Sequence, residues 1–213
     1  MEYDPRAEEY GEYKELKSSV YGELMDRAIR ELDRSVLFRS EHFHGEDHIK
    51  RTIVLGAYVA KGEGFTRAET ELLLLCCSYH DIGRINDRLD DEHGPRAAEK
   101  IMQGEVRALN AVPAEQRAIA AAAISVHSQN DTTAPAYEKL YGIQDHELYM
   151  KMMRSLKDAD NLDRVRLHDL DTKHLRSATA HRGVDFAENL LKIIPPPMEP
   201  FWLHKKAEEN SAH

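Results

Sequence analysis

Thr66-Arg67-Ala68-Glu69-Thr70-Glu71-Leu72-Leu73-Leu74-Leu75-Cys76-Cys77-Ser78-Tyr79-His80-Asp81-Ile82-Gly83 is the stretch whose reading decides the fold class. Thr66 with Glu69 three residues on forms a capping-box pattern, which predicts a helix start. The residues that follow are apolar nearly all round, so this helix belongs inside a core rather than on its surface. The run from Leu72 to Cys77 is far too short to span a bilayer. The predicted helix ends by delivering His80 and Asp81, an imidazole and a carboxylate on consecutive residues, just before Ile82-Gly83.

Helical spacing recurs on both sides of this stretch, whereas alternating strand patterns are scarce. Residues 1–15 are polar and rich in Tyr and Glu, a loose arm or a short surface helix. From Lys17 to Arg39, Val20, Leu24, Ala28, Leu32 and Val36 fall four apart and predict one amphipathic helix. Ser40 to Gly45 interrupts it. A second helix is expected from Gly45 to Ala60, stopped by Lys61-Gly62-Glu63-Gly64. Residues 84–92 read as a charged loop. A fourth helix starts near Pro95 and ends by Gly104, and Pro113 opens an Ala-rich fifth through Val126. Ser128 to Tyr137 reads as a polar loop, Asp145 to Arg166 as a sixth helix, and Asp185 to Lys192 as a later one. Pro195-Pro196-Pro197 ends regular structure. The expected fold is all-α: an N-terminal arm and accessory helix over 1–40, one helical domain over 41–194 and a tail over 195–213.

The chain has 213 residues, enough for one substantial core, and a formal charge of −9 with His neutral. The acidic balance leaves no basic stripe for a nucleic-acid duplex. Met1-Glu2-Tyr3-Asp4 carries no apolar leader, so neither a signal peptide nor a membrane partner is expected. The two cysteines, Cys76 and Cys77, are adjacent and form no Cys-x-x-Cys pattern. A disulfide framework is thereby excluded, a reducing cytoplasm is the simplest location, and both thiols read as small buried residues.

Imidazole and carboxylate suit Zn, Fe, Mn, Co or Ni. His80-Asp81 alone is a weak signal, because both types are common at helix ends. Other segments strengthen it. His44 and His48, in His44-Gly45-Glu46-Asp47-His48-Ile49-Lys50-Arg51-Thr52, are four apart and share a helix face if the turn has formed by His44. Asp158, Asp160 and Asp163 fall among apolar residues, with Arg164 one turn beyond Asp160. His93-Gly94 and His127-Ser128 add two more imidazoles.

These segments resemble the HD superfamily of metal-dependent phosphohydrolases, over roughly residues 40–170. His48, His80, Asp81 and Asp160 match the family's order of a His, a distant His-Asp pair and a later Asp. The resemblance implies that these four hold a divalent ion, whether Mn, Fe, Co, Ni, Zn or Mg. In family members with two ions, two further histidines lie between the pair and the last Asp. His93 and His127 occupy such positions, and Asp81 would then bridge; the other reading is one ion with His93 and His127 as substrate contacts. The Gly-Tyr-Pro motif of the cyclic-dinucleotide phosphodiesterases is absent. The implied activity is hydrolysis of a phosphate ester or anhydride in a nucleotide or other small phosphorylated molecule. The rival from another class is a non-catalytic nucleotide-binding sensor or scaffold.

A divalent ion explains the chemistry, since it lowers the pKa of bound water towards 7. Arg51, Arg84, Arg96 and Lys100 are candidates to hold phosphate oxygens, Arg in bidentate fashion. Arg164 is placed to orient Asp160. His44 is the candidate proton donor to the leaving oxygen, with the exchange of roles between His44 and His48 as the alternative. His42 reads as a surface residue, and His168, His174 and His181 as candidates for the pocket rim. The Lys17–Arg39 helix is available to cover a subunit interface of a homo-oligomer or a neighbouring face of the same domain.

Overall fold

The helical signals resolve into eleven α-helices among the described residues, with no strand among them. The structure, a computed structural model, describes residues 11–40 and 44–196. Residues 1–10 of the arm expected over 1–15, His42 and the tail beyond residue 196 lie outside the described residues. In chain order the helices are α1 (Gly11–Lys17), α2 (Val20–Glu31), α3 (Glu46–Gly62), α4 (Arg67–Tyr79), α5 (His93–Met102) and α6 (Arg107–Asn110). They continue as α7 (Ala114–His127), α8 (Ala134–Tyr141), α9 (His146–Leu162), α10 (Ala178–Arg182) and α11 (Val184–Ile193).

The capping box is formed in both directions. Thr66 Oγ1 accepts the Glu69 N–H at 3.3 Å, and Glu69 accepts the Thr66 N–H at 2.7 Å. The helix it starts is central: Leu72, Leu73, Leu74, Cys76 and Cys77 of α4 are all buried. Around α4 pack α3, α7, α9 and α2, while α5 lies along α7. The accessory helix α2 presses Leu24 and Met25 into the same core. No described helix is long and apolar enough to cross a membrane.

The structure departs from the predicted elements where side chains compete for the backbone. The helix expected over Lys17–Arg39 divides at Ser18–Ser19, where Ser19 caps α2 by accepting the Gly22 N–H. It then stops at Glu31. Asp33 Oδ1 takes the Ser35 N–H and hydroxyl at 3.0 and 2.6 Å, closing a turn that draws the chain out of the helix. The expected loop over Ser128–Tyr137 instead contains a 3-10 turn at Asp131–Thr133 and the start of α8, with Pro135 in its first turn. The helix expected to reach Arg166 ends at Leu162 and tightens into a 3-10 turn over Asp163–Leu167.

Two glycines bring the backbone unusually close at one end of the bundle. A Cβ on Gly83 would meet the His93 carbonyl oxygen at 2.0 Å and the Ala97 nitrogen at 2.4 Å. A Cβ on Gly94 would meet the Ile124 carbonyl oxygen at 2.5 Å. The loop after α4 and the end of α7 therefore both press on the start of α5.

Candidate metal centre

The six side chains expected to bind metal come from five segments and meet at helix ends. His48 is in the first turn of α3, His80 and Asp81 follow α4, His93 opens α5, His127 closes α7, and Asp160 is in the last turn of α9. Around His48, Nε2 lies 3.1 Å from His80 Nε2, 3.5 Å from Asp81 Oδ2 and 3.4 Å from Asp160 Oδ1. His80 Nε2 is 3.8 Å from Asp81 Oδ2 and 3.7 Å from Asp160 Oδ1. The other oxygen of Asp81 faces a second group. Its Oδ1 is 3.1 Å from His93 Nε2 and 3.7 Å from His127 Nε2, and those two nitrogens are 2.8 Å apart. Asp81 thus divides its two oxygens between two clusters of donors.

The other nitrogen of each imidazole is already committed. His80 Nδ1 donates to the Cys77 carbonyl at 2.9 Å, His93 Nδ1 to that of Asp90 at 2.5 Å, and His127 Nδ1 to that of Ile124 at 2.5 Å. A carbonyl only accepts, so the proton of each neutral ring belongs on Nδ1. His48 Nδ1 likewise faces a carboxylate, Asp163 Oδ2, at 2.7 Å. Every Nε2 then turns a lone pair toward another Nε2 or a carboxylate oxygen. Asp81 Oδ2 is fully buried and has no hydrogen-bond partner among the described residues. Six facing lone-pair donors repel one another and leave a buried anion unsatisfied, unless a cation lies between them. The donor set therefore fits a divalent metal, and the groups His48–His80–Asp81, His80–His127–Asp160 and Asp81–His93–His127 could each hold one.

The protonation states suit ligation. Burial, aided by the Arg166 guanidinium, pushes His48 down to about 4, and burial pushes His127 down to about 4. Both rings are neutral at pH 7. Burial alone would raise Asp81 and Asp160. The imidazoles around both, in their protonated form, and Arg84 beside Asp81 outweigh it and hold each carboxyl well below the ordinary range. All the donors are buried except Asp160, whose side chain is 31% exposed. The cluster opens to solvent at that carboxylate.

Behind the donors stands a second set of contacts. Asp163 is fully buried and receives His48, Arg51 Nε at 2.6 Å and Arg166 Nη1 at 2.9 Å. Burial alone would raise its carboxyl; Arg166, His48 and Arg51 outweigh that and hold it at about 2. Lys157 Nζ, buried under α7, donates to the carbonyls of Val126 and Gln129 and to Asp131, fixing the chain on both sides of His127. Neither Asp163 nor Lys157 is among the site residues expected from the sequence. The helical period carried a signal for the first. Asp160 and Asp163 are three apart and share a face, whereas Asp158 points away. Asp158 accepts the backbone N–H groups of Arg176 and Ser177 at 2.7 and 2.8 Å, ahead of α10.

The basic candidates are placed differently from their expected task. Arg51 is buried, holding Asp163 and the Ile194 carbonyl. Arg84 Nε donates to Asp81 Oδ1 at 2.8 Å, so it touches the cluster through a carboxylate. Arg96 donates to the Gly83 carbonyl and pairs with Asp90, and Lys100 donates to the Ile82 carbonyl at 2.8 Å. Both brace the loop that follows Asp81. Arg164 pairs with Asp169 rather than Asp160. His44 stands edge-on to His48, ring centroids 5.8 Å apart, with Nδ1 on Asp87 Oδ1 at 2.8 Å. His174 lines a pocket beside His127, and His168 and His181 do not. None of the family models, curated proteins or solved structures compared with the chain matches it.

Proposed function

We propose that the chain is an HD-type metal-dependent phosphohydrolase, cleaving a phosphate ester or anhydride of a nucleotide or another small phosphorylated molecule. The observation that carries this reading is the division of Asp81 between two clusters of lone-pair donors, one with His48, His80 and Asp160, the other with His93 and His127. Those residues would hold one ion each side of Asp81. When bound, divalent cations polarise a phosphoryl oxygen and acidify water at neutral pH.

The chain's own groups supply the rest. The six donors include two carboxylates, so two divalent ions would leave a net positive hole in an acidic molecule. Such a hole attracts a phosphate group. Asp163 keeps His48 in the tautomer with a free Nε2, and Arg84 restrains Asp81. Asp160, the partly open donor, borders the approach for substrate. In the reaction, water oxygen bonds to phosphorus while the phosphorus bond to the leaving oxygen breaks. The leaving oxygen takes a proton, which we assign to the protonated ring of His44, held at Nδ1 by Asp87; the proton given up by the attacking water restores it.

The test is metal analysis of the purified full chain, followed by phosphate release from p-nitrophenyl phosphate and a panel of nucleotides with Mn2+, Co2+, Fe2+, Ni2+, Zn2+ or Mg2+. Bound metal with turnover that Asp81→Ala abolishes supports the reading. Wild type and Asp81→Ala equally inert with every ion would overturn it. Tight nucleotide binding without turnover would favour the sensor instead.

A further inference from the structure

A pocket of about 440 Å3 shares His127 with the donor cluster and reaches Asn161, the neighbour of Asp160, the one partly open donor. Its chemistry is unlike a nucleobase slot. Among the described residues its lining holds no aliphatic, Phe, Tyr or Trp side chain. A flat, weakly solvated base is normally held by stacking and apolar walls. Here the walls are Ser128, Gln129, Asn130 and Asn161, with three cations, Lys157, Lys173 and Arg176, against the single carboxylate of Asp131.

The charges are not equally available. Lys157 spends its donors on two carbonyls and Asp131. Arg176 grips Asp131 through Nε and Nη2 at 2.8 Å each and donates Nη1 to the His174 carbonyl at 2.6 Å, which leaves one N–H on each Nη. Lys173 is 87% exposed, and its ion pair with Asp171 is long at 4.0 Å. The amide of Asn161 makes only a 3.5 Å approach to the His174 carbonyl. A polar wall with spare amide, guanidinium and ammonium donors remains, although Asp158 and Asp171 stand 3.8 and 4.0 Å from Arg176 and Lys173. That combination recognises hydroxyls and a second anionic group.

We propose that this pocket binds the non-reacting end of the substrate, and that this end is a hydroxyl-rich anion, a phosphorylated sugar or polyol, instead of a nucleobase. The assignment rests on the phosphohydrolase reading above and narrows its substrate class. In the reaction a water oxygen replaces the sugar oxygen on phosphorus, and the sugar hydroxyl leaves with a proton while its other phosphate stays against Lys173.

Calorimetric titration of the metal-loaded full chain with fructose 1,6-bisphosphate and with AMP tests the pocket. Binding at least tenfold tighter for the sugar bisphosphate is expected. Lys173→Ala should weaken it about tenfold, a loss typical of one charge-assisted contact, and Lys173→Arg should restore most of it. Tighter binding of AMP, or Lys173→Ala leaving the sugar bisphosphate unaffected, would overturn the proposal. Phosphate release from p-nitrophenyl phosphate, run in parallel, reports separately on the hydrolase reading. Inert protein that still prefers the sugar bisphosphate would retain the pocket and discard the hydrolase.

Discussion

At the scale of single residues, Asp81 and Asp163 are both buried carboxylates, yet their removal should have different consequences. Asp81 offers one oxygen to each donor cluster, so Asp81→Asn should abolish tight metal binding altogether. Asp163 reaches the cluster through His48, whose Nδ1 proton it accepts, and its other bonds are to Arg51 and Arg166. Asp163→Asn should therefore leave a site that binds metal 10–100-fold more weakly, the range for losing a group that orients a ligand. Equilibrium dialysis against Co2+ with elemental analysis separates the two outcomes. The cysteines give a second check at this scale. Burial pushes the Cys76 thiol up to about 12 and raises Cys77 as well, so neither forms a thiolate at neutral pH. Both should resist a thiol reagent in the native chain and react fully in denaturant; rapid native labelling would show that α4 is not the buried centre. The candidate metal donors were legible because their types and order survive in the sequence. The arginines were not. A guanidinium reaches far along a flexible stem, and nothing in the spacing of Arg51, Arg96 or Arg164 says that each ends on a carboxylate or carbonyl of its own chain.

Elements carry the donors, and their ends set the geometry. Thr66 and Gly83 flank α4 and allow a contrast. Thr66→Ala removes one half of a capping box on the exposed end of the helix, which should cost about 1 kcal/mol and leave metal binding unchanged. Gly83→Ala would drive a methyl group into the His93 backbone at 2.0 Å, where no flexible side chain can give way. The start of α5 must then move, carrying His93 with it. The expected cost is about 2 kcal/mol or more, together with weaker metal uptake. Denaturant titration with and without Co2+ measures both; Gly83→Ala with wild-type metal affinity would show that the close approach is incidental. The existence of the long helices could be read from apolar spacing and Pro and Gly punctuation. The short ones could not. Asp131 to Tyr141 is polar enough to pass for a loop, and α8 rests on Pro135 in its first turn and on packing against α7. The break after Glu31 was hidden because Leu32 and Val36 continue the four-residue spacing past the point where Asp33 captures Ser35.

For the whole molecule, charge placement gives a stability profile that can be worked out by sign. Partial burial would raise Asp131, but its bonds to Arg176 and Lys157 outweigh that and hold it at about 2, below its ordinary 3.8. A depressed carboxyl contributes stability above its unfolded pKa and loses it as pH falls through the folded one. Asp131 is 45% exposed, so the full linkage figure must be discounted for screening to about 1 kcal/mol. The difference in denaturant midpoint between wild type and Asp131→Asn should be constant at pH 5–7 and shrink between pH 4 and 2; a gap that widens there would contradict the ion-pair assignment. Metal should have the larger effect, because the candidate donors span residues 48 to 160 and come from five segments. Without a cation, facing lone pairs oppose that closure; with one, binding and folding are coupled. At 25 °C and free metal well above Kd, each bound ion should add about 1.4 kcal/mol of stability for every tenfold rise in free metal. Isothermal unfolding at several buffered Co2+ concentrations therefore counts the ions. A slope near 1.4 kcal/mol per decade means one ion and a slope near 2.7 means two, by the same linkage. Asp81→Asn should flatten the slope to zero, whereas His93→Ala should lower a slope of two ions to that of one. A wild-type slope of zero would mean that the six side chains converge without gripping a cation, and the function proposed for them would fall with it.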